Sequence, residues 1–302
     1  MTKFAGVYVA AVTPHRKEGH EADVGAMLEL LDFLQSAGVQ GIALLGSTGE
    51  FLHLRIEDRI RLVNLAVKRS RVPILVGVSH STFDGTLELA REAAAGGGAA
   101  LLAMPPYYFR YSQDDIREFY LQFAQAIGGV APILLYNIPA FTNPIRFETA
   151  EELLATGQFA GIKDSSGDFD FFMRLQQLRQ QKSWSFLVGN DLIFTRARQD
   201  GADGIVSGVA CAVPELLVSL DRAIQNQATA EIARLDAKLQ EFIDWLNCFP
   251  GPVGIKVATA ARGLKIGPLA VPLSPARQKK LAEFQEWFKA WLPIVKKEAA
   301  CA

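Results

Sequence analysis

Eight short apolar runs, each followed by a longer segment of helical periodicity, fill the first 225 residues of this 302-residue chain. Strands that alternate with helices predict parallel strands joined by right-handed crossovers, and eight such units match a closed (β/α)8 TIM barrel. The predicted strands are Gly6–Val12, Gly41–Leu45, Ile74–Val78, Ala99–Met104, Ile133–Tyr136, Phe159–Lys163, Ser185–Val188 and Gly204–Ser207.

The helical segments continue after the eighth unit, where no further strand is predicted. We therefore expect a barrel domain over residues 1–226 and a C-terminal helical appendage over residues 227–302 that packs on the barrel. A doubly wound open sheet stays as an alternative, although no GxGxxG motif follows the first strand. The predicted helices are Asp23–Ala37, Glu57–Ser70, Thr82–Ala95, Gln113–Ile127, Phe147–Ala155, Phe169–Gln180, Leu192–Gln199, Pro214–Gln225, Thr229–Phe249, Val253–Arg262 and Ser274–Lys297.

Charge and cysteine content exclude several classes of partner. The 31 basic and 32 acidic residues leave a net charge of −1, with no basic surface to attract nucleic acid or an acidic membrane. Cys211, Cys248 and Cys301 lack CxxC spacing, and the histidines form no HxH or HExxH motif, so we expect no disulfide, metal or other cofactor. The first apolar run is broken by Pro14, which predicts neither a signal peptide nor a membrane span. These features favour a cytoplasmic protein.

A lysine ends the sixth apolar run, in the stretch FAGIKDSSGD from Phe159 to Asp168. Lysine is almost never fully buried without a partner, and desolvation favours its neutral form, which attacks carbonyl groups. Lys163 is therefore a candidate Schiff-base lysine. The alternative is a strand-end lysine whose ammonium extends into solvent.

Hydroxyl groups follow three of the other predicted strands. In a barrel of this kind the active site lies at the carboxyl ends of the strands, so these hydroxyl groups and Lys163 are expected at one site. Each has a structural alternative, because Ser47 and Thr48 could cap a helix and the tyrosines could pack at the rim. The stretches are Gly46–Glu50 (GSTGE), Pro105–Tyr108 (PPYY) and Tyr136–Pro139 (YNIP).

These motifs, in this order, resemble the dihydrodipicolinate synthase and N-acetylneuraminate lyase family of pyruvate-dependent class I aldolases. The resemblance covers the whole chain and includes the opening GVYVAAVTP and the DGIVSG stretch at Asp203–Gly208. It implies an enzyme that needs no metal or cofactor and forms a homo-oligomer, either a dimer or a tetramer.

The resemblance also implies a role for each matching residue. Lys163 matches the Schiff-base lysine and Tyr136 the tyrosine that shuttles protons. Ser47, where the family commonly has threonine, matches the hydroxyl that links this tyrosine to a second one. Tyr108 matches that second tyrosine, which reaches the site from a neighbouring subunit. Thr48 matches the residue that receives the pyruvate carboxylate.

Two departures from the family's motifs concern the substrate. Synthases of the family carry an arginine for the aldehyde's carboxylate two residues after the YN(V/I)P motif, where this chain has Phe141. A phenyl ring cannot hold a carboxylate, and the sequence does not show whether Arg110 or Arg146 replaces the arginine. The sialic acid branch has an Asp-Glu pair after the seventh strand, and here Gly189-Asn190-Asp191-Leu192 keeps only the aspartate. Gly189, Asp191 and Ser207 are further substrate-binding candidates.

The sequence therefore predicts a lyase, an aldolase or dehydratase, that binds pyruvate or a 2-oxo acid such as a 2-keto-3-deoxy sugar acid as a Schiff base on Lys163. The alternative enzyme is dihydrodipicolinate synthase, which condenses pyruvate with aspartate semialdehyde. A catalytically silent barrel that binds a 2-oxo acid is an alternative of another class. A phosphate-binding barrel enzyme, with phosphate at Ser207–Gly208, is the third.

Overall fold

Eight strands form a closed parallel barrel, in which the first strand pairs with both the second and the eighth. This closure confirms the TIM barrel and excludes the open sheet. The computed structural model describes residues 3–16, 21–179 and 184–300, so Gln180 and Cys301, named above, lie outside the described residues. The strands are β1 (Gly6–Ala10), β2 (Gly41–Leu44), β3 (Ile74–Gly77), β4 (Ala100–Ala103), β5 (Ile133–Asn137), β6 (Gly161–Asp164), β7 (Ser185–Val188) and β8 (Gly204–Ser207).

Every residue of these strands is buried. Strands of a parallel sheet are covered on both faces, which explains why they appear in the sequence as continuous apolar runs. The described helices surround the barrel or follow it. They are α1 (Val24–Ser36), α2 (Ile56–Arg69), α3 (Phe83–Ala95), α4 (Gln113–Ile127), α5 (Phe147–Ala155), α6 (Phe169–Arg179), α7 (Phe194–Gln199), α8 (Val209–Ala212), α9 (Pro214–Gln225), α10 (Thr229–Leu246), α11 (Val253–Ala261) and α12 (Pro275–Ala300).

Local side-chain chemistry fixes where several of these helices begin. The Asp23 side chain accepts a hydrogen bond from the Ala26 amide at the start of α1, and Ser112 and Asp115 form a capping box at the start of α4. The sequence predictions missed the four-residue helix α8 and extended α10 three residues too far. None of the described helices has the length and hydropathy to cross a membrane.

The C-terminal helices contact the barrel and also reach its carboxyl end. Helices α10 and α12 pack on α9, and α11 packs on α8. Aromatic rings stack between α10 and α12, among them Phe242 and Trp291, whose centres are 5.3 Å apart. The loop between α11 and α12 brings residues 269–274 to a cavity that is also lined by Ser47, just after β2. The C-terminal region thus lies beside the predicted active site.

Candidate active site

Lys163 is enclosed at the carboxyl end of the barrel. It is 4% exposed, so the alternative of an ammonium extended into solvent is wrong. Its register partner on β5 is Tyr136, and its amine nitrogen lies 3.9 Å from the centre of the Tyr136 ring. Register partners on adjacent parallel strands project to the same side of the sheet, which explains this contact. The next pair, Asn137 and Asp164, forms a hydrogen bond of 2.7 Å.

Tyr136 also meets the first predicted hydroxyl. Its phenol oxygen shares a hydrogen bond of 3.1 Å with Ser47 Oγ. Burial by itself raises the pKa of Tyr136, but the Lys163 ammonium and the Ser47 hydrogen bond outweigh burial and hold that pKa below its usual value. An amine, a phenol and a hydroxyl therefore lie in sequence, so a proton can pass between them.

The turn that carries Ser47 and Thr48 is hydrogen-bonded to Thr13 and lies against the end of β8. Thr13 Oγ1 donates a hydrogen bond of 2.6 Å to the Gly49 carbonyl. Thr48 lies opposite the end of β8, with its Oγ1 3.3 Å from the position that a Cβ at Gly208 would occupy. Such a Cβ would also lie 2.9 Å from Ile255 of α11. A side chain at position 208 would therefore crowd both Thr48 and the C-terminal helix.

A buried ion pair joins this turn to the C-terminal region. Lys256 of α11 is 1% exposed, and its amine lies 2.6 Å from the Glu50 carboxylate. His15 Nε2 lies 3.8 Å from the same oxygen. Burial by itself raises the pKa of Glu50, but contacts with His15 and Lys256 lower it below its usual value. The ion pair with Lys256 thus holds Glu50, the last residue of the stretch Gly46–Glu50, in place.

The chain passes close to Lys163 just after β7, because the residue there is glycine. A Cβ at Gly189 would lie 2.0 Å from Ser165 Oγ and 2.9 Å from Lys163 Cε. Gly189 therefore leaves room for the lysine side chain. Ser165 lies next to the phenol of Tyr136, and the sequence predictions overlooked it although it stands two residues after Lys163.

Asp191 and Ser207 lie together on the β7–β8 side of the site. The Ser207 hydroxyl donates to the Asp191 carboxylate and accepts a hydrogen bond of 2.9 Å from the Ala210 amide. Burial raises the pKa of Asp191 to about 6, while the Ser207 hydrogen bond and the charge of Lys163 lower it. These two substrate-binding candidates are therefore partners of each other.

Tyr108 projects away from its own barrel. Its side chain is 88% exposed, and no hydrogen bond joins it to Ser47 within the described part of the chain. The backbone at Tyr108 has a φ of 76°, which is uncommon for a residue other than glycine. Asn143 fixes this loop by donating to the carbonyls of Pro106 and Phe109, at 2.7 and 2.8 Å. The sequence predictions also missed this function of Asn143.

Phe141 lines a cavity of about 570 Å³ beside Ser47. The phenyl ring is 65% exposed. Neither Arg110 nor Arg146 lines this cavity, whereas Arg277 of α12 does. The full lining is Ser47, Glu50, Phe51, Leu52, His53, Met104, Tyr107, Phe141, Thr142, Pro250, Gly251, Pro252, Val253, Leu269, Ala270, Val271, Pro272, Leu273, Ser274 and Arg277.

Comparison with known proteins agrees with this arrangement. The profile of the dihydrodipicolinate synthetase family matches residues 3–291. The chain belongs to this family. Its members are class I, pyruvate-dependent lyases that act on small molecules and are commonly oligomeric, so this protein is an enzyme of that class.

Individual relatives of the dihydrodipicolinate synthetase family match along nearly the whole length. A 4-hydroxy-tetrahydrodipicolinate synthase of Alkaliphilus oremlandii is 30% identical over 286 residues, which cover 93% of this chain and 97% of the relative. The solved structure of a 4-hydroxy-tetrahydrodipicolinate synthase from Methylacidiphilum fumariolicum SolV has a TM-score of 0.87 at 28% identity and covers 98% of this chain and 99% of its own. A sialic acid aldolase from Ruminococcus gnavus shares the fold, with a TM-score of 0.85 at 23% identity over 96% of this chain and 97% of its own.

Proposed function

We propose that Lys163 forms a Schiff base with pyruvate, or with a 2-oxo acid that contains the pyruvyl unit, and that a carbon–carbon or carbon–oxygen bond next to C3 is then made or broken. The observation that carries this proposal is the enclosed amine of Lys163, which lies 3.9 Å from the Tyr136 ring. The Tyr136 phenol in turn contacts the Ser47 hydroxyl. An amine that is shielded from water and lies next to proton carriers is suited to imine formation.

The chemistry follows from the amine. The Lys163 nitrogen attacks C2 of the 2-oxo acid, and the oxygen leaves as water after it has accepted protons through Tyr136. The cationic imine then withdraws electrons from C3, which can lose a proton to form an enamine. The enamine carbon attacks an aldehyde, whose oxygen takes up a proton, and hydrolysis of the imine restores Lys163. Cleavage is the reverse sequence, with Tyr136 as acid and base. In this scheme Thr48 receives the pyruvate carboxylate.

Tyr108 is assigned to the active site of a neighbouring subunit. An exposed ring on a fixed loop with a strained backbone fits a contact with a second copy of the chain. The enzyme is then a homo-oligomer, a dimer or a tetramer, in which Tyr108 completes the relay through Ser47. We also assign catalysis to a domain of residues 1–226 with a helical region over 227–302, and the protein to the cytoplasm.

The partner of pyruvate is assigned as an aldehyde without a carboxylate, because Phe141 stands where a synthase of this family carries its arginine. A 2-keto-3-deoxy sugar acid is one 2-oxo acid that meets this condition, with Gly189, Asp191 and Ser207 next to it. The second candidate is dihydrodipicolinate synthesis. The names of the relatives favour it, and Arg277 offers a cation in the cavity.

Two other hypotheses have less support. A silent binding barrel would not need the Tyr136–Ser47 contact beside the lysine. A phosphate at Ser207 would face the Asp191 carboxylate, which already accepts from that hydroxyl, so like charges would meet there.

Trapping with borohydride tests the proposed function. The full chain is incubated with each of a panel of plain and phosphorylated 2-oxo acids, reduced with borohydride, and digested for mass spectrometry. We expect one reduced pyruvyl group on Lys163 after incubation with pyruvate. A stable adduct on another lysine, or no adduct with any 2-oxo acid, would overturn the assignment. Preference for a phosphorylated acid would support the phosphate site instead.

A further inference from the structure

The cavity beside Ser47 is walled mainly by apolar side chains that come from two distant parts of the chain. The barrel contributes Met104 and Phe141, and the α11–α12 loop contributes Leu269 and Val271. Phe141 and Val271 are 65% and 58% exposed, so they present apolar surface to anything that enters. Ser47 connects this cavity with the relay of the proposed Schiff-base site. An aldehyde bound beside Ser47 would therefore place its substituent in this cavity.

Two hydroxyl groups of the barrel wall, those of Ser47 and Thr142, already form hydrogen bonds, and Tyr107 and His53 are further polar side chains of this wall. The Ser47 hydroxyl bonds to Tyr136. The Thr142 hydroxyl lies 3.2 Å from the carbonyls of Ile138 and Asn143. The Thr142 hydroxyl proton is therefore already used, although both hydroxyls can still accept a hydrogen bond.

Two charged residues of the wall, Glu50 and Arg277, each have one partner within the chain. Lys256 neutralises the Glu50 carboxylate at 2.6 Å. Arg277 donates a hydrogen bond of 2.8 Å to the Cys248 carbonyl. A ligand with several hydroxyls would give up its bonds to water against a wall that is mostly apolar, and each hydroxyl left unpaired there costs free energy. An apolar ring would lose no such bonds.

We propose that the aldehyde partner of this enzyme is uncharged and apolar, with an aromatic or cyclic aliphatic substituent seated between Phe141 and Val271. This proposal rests on the proposed Schiff-base function and replaces the 2-keto-3-deoxy sugar acid as its substrate, because the aldehyde part of such an acid carries several hydroxyls. A cavity of about 150 Å³ already accommodates benzene, so 570 Å³ holds a phenyl ring with room to enter and leave. Burying apolar surface of that size stabilises the complex without any ion pair.

The reaction that follows joins the pyruvate enamine to the aldehyde carbon. One carbon–carbon bond forms between pyruvate C3 and that carbon, and the aldehyde oxygen takes one proton and becomes the 4-hydroxyl group. Water then hydrolyses the imine and frees Lys163. With benzaldehyde the product is 4-hydroxy-2-oxo-4-phenylbutanoate, which contains every atom of the two substrates.

An aldehyde panel tests the proposal with the full-length enzyme. Pyruvate is combined with benzaldehyde, cyclohexanecarbaldehyde, D-glyceraldehyde or aspartate semialdehyde, and the aldol product is measured by liquid chromatography and mass spectrometry. We expect kcat/KM for benzaldehyde to exceed that for glyceraldehyde by about tenfold or more, which corresponds to 1.4 kcal/mol. A preference for glyceraldehyde would indicate a polyol substrate, and a preference for aspartate semialdehyde would indicate the synthase. Either preference overturns the inference.

Borohydride trapping separates this inference from the proposed function. If Lys163 is trapped with pyruvate and no apolar aldehyde is used, the inference fails and the Schiff-base function stands. If no 2-oxo acid is trapped on Lys163, both fail.

A matched pair of variants locates the apolar substituent. Val271→Asp places a charge in the cavity wall, and we expect it to lower kcat/KM for benzaldehyde by about tenfold relative to that for glyceraldehyde. Val130→Asp makes the same change at another exposed valine, which lies before β5 at the opposite end of the barrel, and should leave both values unchanged. Equal effects of the two variants would contradict the assignment. If Val271→Asp fails to fold by circular dichroism, Phe141→Ser replaces it with the same ratio as the readout.

Discussion

The amine side and the cavity side of the proposed active site differ in how firmly their residues are positioned before a substrate binds. On the amine side, Lys163 and Tyr136 are 4% and 1% exposed and stand on adjacent strands in fixed register. On the cavity side, Phe141 and Val271 are more than half exposed and stand on loops. Groups that carry out chemistry must be preorganised, because misplacement by an ångström can cost two orders of magnitude in rate.

The comparison indicates that the barrel strands position the reacting groups, whereas the loops around the cavity determine which aldehyde is used. The amine side consists of strand residues whose positions the barrel itself determines. The cavity side combines barrel loops with the α11–α12 loop, and such segments tolerate substitution. Substitutions on the amine side should therefore change the rate for all substrates, and substitutions on the cavity side should change the relative rates for different aldehydes.

The largest effect is expected at the amine itself. Lys163→Ala should abolish both the borohydride adduct and turnover, because the covalent intermediate cannot form. The adduct is measured by mass spectrometry and turnover by consumption of pyruvate. Lys265→Ala, at an exposed lysine after α11, is the control and should behave like the native enzyme. Residual turnover of Lys163→Ala, with an adduct on another lysine, would show that Lys163 is not the reacting amine.

The second-largest effect on turnover is expected when the phenol hydroxyl of Tyr136 is removed. Tyr136→Phe should keep the fold and lower kcat by about 10²-fold or more, because one positioned acid–base group contributes 10² to 10⁴. The decrease should be similar for every aldehyde. Tyr8→Phe is the matched control, since Tyr8 is buried on β1 beside the first residue of β2 and away from the carboxyl ends. An unchanged kcat for Tyr136→Phe would remove this residue from the relay.

Tyr108 is an exposed residue that we assign to the amine-side relay of a neighbouring subunit. It therefore tests whether the amine side is built from residues of two subunits. Tyr108→Phe should lower kcat for all aldehydes, and mixing it with Lys163→Ala protein should restore activity. In a mixed dimer one site has an intact lysine and receives an intact tyrosine, so random exchange restores about a quarter of all sites. The rate is followed after the two variants have been exchanged. No recovery, with exchange verified by native mass spectrometry, would place Tyr108 outside the neighbouring site.

The smallest effect concerns selectivity alone. Phe141→Arg should raise kcat/KM for aspartate semialdehyde by about tenfold or more if 1.4 kcal/mol of a charged contact is gained. A neutral aldehyde serves as the control and should not gain. If the native enzyme already uses aspartate semialdehyde efficiently and the substitution brings no gain, another residue holds the carboxylate and the synthase hypothesis takes its place.

Sequence patterns predicted the barrel well, because eight buried strands carry a strong signal. The predicted and observed strand ends differ by at most two residues. The Lys163–Tyr136–Ser47 cluster was equally predictable, since each residue lies within three residues of the carboxyl end of a strand. The cavity was not, because Val271 and Arg277 reach it through the fold and lie in no strand-end motif. Helix α8 was missed since its four residues are too few to show a helical period.

The ion pair between Glu50 and Lys256 also has a consequence for biosynthesis, because its partners are 206 residues apart in the chain. At about 5–20 residues per second, a ribosome needs roughly 10–40 s to reach the lysine codon after the glutamate codon. All eight strands precede Lys256 in the chain, yet until that residue is made the carboxylate beside the Ser47 turn lacks its cation. A nascent chain can therefore close its barrel before it can secure its catalytic turn. Activity should appear only when translation of α11 is complete.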